Sequence, residues 1–112
     1  MAIKTETVGD VVIVRAKGKM MGGKETEECH LTVKDLIAQD YKNVVIDMSK
    51  VKWVNSRGLG MLIACFTSLR NVNGDLRIAG ATEKTRSLLM MTKLITVFEN
   101  FETVNEAVAS YK

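Results

Sequence analysis

Two short aliphatic runs, Val11-Val12-Ile13-Val14 and Val44-Val45-Ile46, with a third strand-like segment at residues 76–79, constrain this chain more than any other feature. β-Branched runs of this length favour strands, and an unbroken run such as Val44-Val45-Ile46 suits a strand buried on both faces. Between them, apolar residues recur at helical spacing. Cys29, Val33, Leu36 and Ile37 share one face of residues 24–39. Leu59, Leu62, Ile63, Phe66 and Leu69 mark a second helix that stops near residues 71–74. Strands alternating with helices imply a mixed or mostly parallel sheet with helices packed on it.

The remaining segments fit the same scheme. Residues 3–7 alternate and are expected to pair with residues 11–14 through Gly9-Asp10, with Gly18 ending the second strand. Met20-Met21-Gly22-Gly23 reads as a turn, and residues 49–55 as a loop. Thr82 opens a third helix that reaches Met91, and Val97-Phe98 supplies a short last strand. Thr103-Val104-Asn105-Glu106 has the capping-box pattern and starts a fourth helix, with Val104, Ala107, Val108 and Tyr111 on one face. The expected class is α/β, in the order β-β-α-β-α-β-α-β-α, forming one domain over residues 1–112. Hydrophobic residues make up 46% of the chain, enough for a core without disulfide or metal. Aromatics are only 5%, so that core should be aliphatic, with methionine as filler.

Several functions are disfavoured. The 16 Lys and Arg are scattered among 13 acidic residues with no basic run, so the net +3 reads as a solvated surface, without direct nucleic-acid contact. The single His30 has no second His, paired-carboxylate motif or His/Cys cluster beside it. Gly58-Leu59-Gly60 is too short for a dinucleotide fingerprint, and no Gly-Lys-Ser/Thr loop is present. Neither enzyme activity nor a metal or cofactor is expected. Cys29 and Cys65 lack zinc-ligand spacing and read as reduced core thiols. Residues 1–9 are too polar for a signal peptide, and the longest apolar stretch, residues 59–66, is far short of a membrane span. The expectation is a cytoplasmic protein that does not engage a membrane.

Residues 44–60 are the informative segment. A buried strand ends near Asp47, the chain returns, and Ser56 stands at the start of a strongly apolar helix. Serine there is expected to cap the helix by accepting from a backbone N–H two or three residues on. Gly58 and Gly60 are poor helix formers for a first turn, but their missing side chains would let another protein's backbone approach closely.

The segment resembles the STAS-domain family, specifically the bacterial anti-sigma factor antagonists. That pattern is a hydrophobic strand, Asp-x-Ser-x-Val, three further positions, then Asp-Ser-Ser/Thr/Ala-Gly-Leu-Gly. The chain carries Asp47-Met48-Ser49-Lys50-Val51 and then Asn55-Ser56-Arg57-Gly58-Leu59-Gly60. The likeness extends to element order, to Gly18 and to Gly74, and so covers essentially the whole chain. It implies a STAS-like mixed β-sheet with four helices and phosphorylation of Ser56 by an anti-sigma factor that is also a serine kinase. In such proteins the unphosphorylated form binds the anti-sigma factor and frees the sigma factor, and a PP2C-type phosphatase resets the switch. Three departures stand out. Asn55 replaces the usual Asp, Arg57 replaces a small residue, and Gly18-Lys19-Met20-Met21 lacks the acidic residue of a Gly-x-Leu-Asp pattern. The expected contact surface around the helix start is Val54, Asn55, Arg57, Gly58, Leu59 and Met61, extended by Met20, Met21 and Trp53. An alternative, which Asn55 and Arg57 favour, is a STAS adaptor that docks a regulatory, secretion or lipid-transport partner without phosphorylation.

Overall fold

In the computed structural model, which describes residues 2–111, five strands form one sheet in the order β1-β2-β3-β4-β5. They are β1 (Ala2–Val8), β2 (Val11–Met20), β3 (Asn43–Val54), β4 (Asp75–Ala79) and β5 (Glu99–Phe101). β1 and β2 form the expected antiparallel hairpin, and the other pairings are parallel. The helices are α1 (Gly23–Ala38), α2 (Ser56–Arg70), α3 (Glu83–Met91) and α4 (Val104–Ala109). Class and element order are as the sequence suggests, with a 3-10 turn, Leu94–Thr96, added before β5.

Sequential strand order dictates the layers. Parallel crossovers are right-handed, so crossovers stepping in one direction leave their helices on one face. The main core lies on that face, where Val12, Val14, Val44, Ile46, Leu76 and Ile78 meet Val33, Leu62, Leu69 and Leu89. α4 covers the opposite face, with Ala107 and Val108 on Val11, Ile13, Val45 and Ala79. The period-2 alternation along β2 is what makes both faces apolar. Burying side chains of this size contributes about 1.5–3 kcal/mol each.

Three boundaries differ from the sequence expectation. β3 continues to Val54 where a loop was expected over residues 49–55. Its second half runs past the end of β4 and pairs only with β2, from Lys17↔Lys50 to Met20↔Val54. Lys50, Lys52 and Trp53 there face solvent, and polar residues at a half-exposed sheet end resemble a loop. β2 likewise passes through Gly18 to Met20, absorbing register shifts on either side of residues 17–18. The last strand is Glu99–Phe101, not residues 97–98. Phe98 instead packs into the core edge-on to Phe66, with ring centroids 5.5 Å apart.

Candidate functional site

The parallel register places Met20 beside Val54, so β2 and β3 end together. Each then turns into a helix. Asn55 has extended backbone and caps α2: its Oδ1 accepts from the N–H groups of Arg57 and Gly58, both at 3.0 Å. Its Nδ2 donates to the Met21 carbonyl at 3.0 Å, and its backbone N–H to that of Met20 at 3.2 Å. One side chain therefore closes α2 and fastens it to the turn that leads into α1. The expected cap at Ser56 is corrected: the cap is Asn55, whose amide both accepts and donates. Ser56 is the first helical residue and is exposed.

Gly58 is buried against β2, where an added Cβ would collide with the Met20 carbonyl and lie 2.9 Å from the Met20 Cβ. The close approach that its missing side chain permits is made by this chain's own backbone, not by a partner. Met20, Leu59 and Met61 are also buried, at 0%, 4% and 7% exposure, all within the main core. Because the first turn of α2 lies on the sheet end, positions 58, 59 and 61 turn inward. Met20, Gly58, Leu59 and Met61 are thereby removed from the contact surface expected from sequence. Met21 and Trp53 remain exposed with Ser56 and Arg57, and Val54 and Asn55 are partly so.

Arg57 lies across Gly22, where an added Cβ would meet its Cδ at 2.6 Å; φ at Gly22 is +101°, a conformation that favours glycine. The first turn of α2 contains no acidic residue. The positive end of the helix dipole and Arg57 therefore give the surface around Ser56 a positive potential.

The Asp-x-Ser half of the motif has a structural task that the sequence reading did not assign. Asp47 is buried; its Oδ1 accepts from the Ser49 N–H at 3.0 Å and hydroxyl at 2.7 Å, and its Oδ2 from Arg15 at 2.9 Å. Arg15 continues to Glu6 at 3.1 Å, which ties β1, β2 and β3 together. The two-residue spacing is the signal, since an aspartate reaches the N–H two positions on. His30, on α1, is half-buried, with Nε2 unpartnered among the described residues. No group of three or more His, Cys, Asp or Glu able to hold a metal exists among them. Nor is any helix among them long and apolar enough to cross a membrane.

Fold and site define a class: a small α/β domain whose most distinctive surface is the start of a crossover helix. The family model for the STAS domain matches residues 2–107, and the chain belongs to that family. A Thermotoga maritima protein, provisionally named an anti-sigma factor antagonist, is 26% identical over 106 residues, spanning 89% of this chain and 88% of that one. The crystal structure of an anti-sigma factor antagonist from Mycobacterium paratuberculosis superposes with a TM-score of 0.83 at 22% identity, covering 97% and 92% of the two chains. The Bacillus cell fate determinant SpoIIAA, solved in its phosphorylated form, gives 0.78 at 18% identity over 99% and 100%. These superpositions establish the STAS-like fold.

Proposed function

We propose that the chain is an anti-sigma factor antagonist that binds an anti-sigma factor serine kinase through the start of α2 and is switched off by phosphorylation at Ser56. The observation that carries this reading is the placement of Ser56. It opens α2 on the surface with its hydroxyl free of capping duty, because Asn55 already holds the helix end. The relatives' names support the antagonist part of this reading. A phosphate there would add roughly −1.5 to −2 charges and three acceptor oxygens. The helix tolerates it, since anions are favoured at helix N-termini. Release of the partner must then come from repulsion and bulk at the interface, which Met21, Asn55 and Arg57 would share, with Val54 and Trp53 at its edge. A PP2C-type phosphatase would restore the binding form.

The test uses a purified anti-sigma factor serine kinase with labelled ATP. Wild type should take up phosphate and lose affinity for the kinase once modified. Ser56→Ala should take up none, keep its affinity, and fold within about 0.5 kcal/mol of wild type, because no cap is removed. Undiminished incorporation in Ser56→Ala would show that the acceptor lies elsewhere. The phosphorylation-independent adaptor is the second reading, favoured by Arg57 lying across Gly22 beside the acceptor. It predicts a captured partner whose affinity is the same before and after kinase treatment.

A further inference from the structure

The sequence contains no basic run, yet the parallel pairing of β2 with β3 builds a basic surface. The register sets Lys17 against Lys50 and Lys19 against Trp53, residues more than thirty positions apart in the chain. α4 covers only the lower part of this sheet face, so Lys17, Lys19, Lys50 and Lys52 remain exposed. Lys84 joins them from α3, its Nζ 4.0 Å from the centre of the Trp53 ring. Lys17, Lys50 and Lys52 have no ion-pair partner among the described residues.

Trp53 stands in the middle of this cluster, 47% exposed. On one side of it a hollow of about 500 Å³ runs between the end of β3 and α3, with Val54, Leu88 and Met91 along its wall. On the other a second hollow, about 380 Å³, lies among Lys17, Lys19, Lys50 and Lys52. Lys52 and Trp53 border both. Glu83 is the acidic residue lining either hollow.

We propose that this groove is a docking site for an acidic segment of a partner protein, one that carries an apolar side chain between its carboxylates. Charge complementarity selects the acidic segment: lysines from β2, β3 and α3 surround the groove against the single Glu83. Its apolar part is concave and walled by an aromatic, the setting in which an aromatic anchor carries binding energy. A lipid surface fits less well, because the ring is held under Lys84 at the border of a hollow instead of projecting as an insertable tip. The groove borders the proposed Ser56 interface and shares Trp53 and Val54 with its edge, but it operates whether or not Ser56 is an acceptor.

Trp53 is the chain's one tryptophan, so its emission reports on the groove directly. The probe is a short synthetic peptide in which Glu and Asp flank one Phe, titrated at low ionic strength. We expect a saturable change in Trp53 emission that weakens as salt rises, since exposed charge pairs are screened. The double variant Lys50→Glu/Lys52→Glu should bind on the order of tenfold more weakly, or less, with an unchanged circular dichroism spectrum, because both lysines are exposed. The same peptide with Lys in place of its acidic residues should give no response. No saturable change, or equal binding by the charge-reversed variant, overturns the proposal. So does a response to phosphatidylglycerol vesicles or to an oligothymidylate in the absence of one to the peptide.

Discussion

Gly58 and Gly60 sit two positions apart in the same helical turn and face opposite circumstances. At Gly58 an added Cβ meets the backbone carbonyl of Met20, which cannot swing aside as a side chain can. At Gly60 nothing lies within 4 Å. Gly58→Ala should therefore destabilise the protein by about 1–3 kcal/mol, the usual cost of forcing atoms into filled space. Gly60→Ala should stabilise it by about 0.5–1 kcal/mol, through the better helix propensity of alanine. Chemical denaturation of both variants checks the contrast, and equal effects would mean that Met20 does not hold α2 in place. From sequence the two glycines are indistinguishable, because the neighbour that separates them lies 38 residues upstream of Gly58. Asn55 was legible as a departure from the family pattern but not as the cap. Its donation to the Met21 carbonyl depends on a turn brought alongside by β2, and an aspartate, which only accepts when ionised, could not make it.

At the scale of elements, α4 is too short to persist alone, since isolated helices of fewer than about 12 residues are marginal in water. Burial of Ala107 and Val108 holds it to the sheet, together with the Tyr111 hydroxyl, 2.7 Å from the Val44 carbonyl and 2.8 Å from that of Asp75. Arg77 stacks 4.0 Å above the same ring. Tyr111→Phe keeps the stacking and removes the bond to the strands, so it should cost about 0.5–1.5 kcal/mol in thermal or denaturant unfolding. A wild-type stability would show that solvent satisfies both carbonyls. Elements with a strong pattern were legible: the alternating hairpin, the buried β3 run, and the caps at Thr82 and Thr103, both of which accept from the N–H three residues on. What was not legible lies at the sheet margins. The tail of β3 and the three-residue β5 are partly solvent-facing and paired on few sides, so their composition carries little strand signal. The lysine-ringed groove was hidden for a related reason, since register, not sequence proximity, assembles it.

The molecule as a whole keeps several weak acids buried and protonated. Burial pushes the Cys29 thiol up to about 11, and it raises Cys65 and the Tyr111 phenol in the same direction. An unfolded chain releases its thiol protons from about pH 9, whereas the fold retains that of Cys29 until about 11. Between those values the unfolded state binds fewer protons, so stability is full below the window and falls as pH rises through it. The melting temperature should accordingly hold steady up to about pH 8.5 and decline between 9 and 11, with Cys29→Ala reducing the slope. A flat profile across that range would show that the thiols reach solvent in the native state. The sheet order has a further consequence for how the chain is made. Each strand pairs with the one before it in sequence, and no proline interrupts the chain. The slow prolyl isomerisation step is therefore absent. As the chain leaves the ribosome, each new strand finds its docking edge already laid down by its predecessor. α4, which follows β5 in the chain, then seals the second face over strands that precede it.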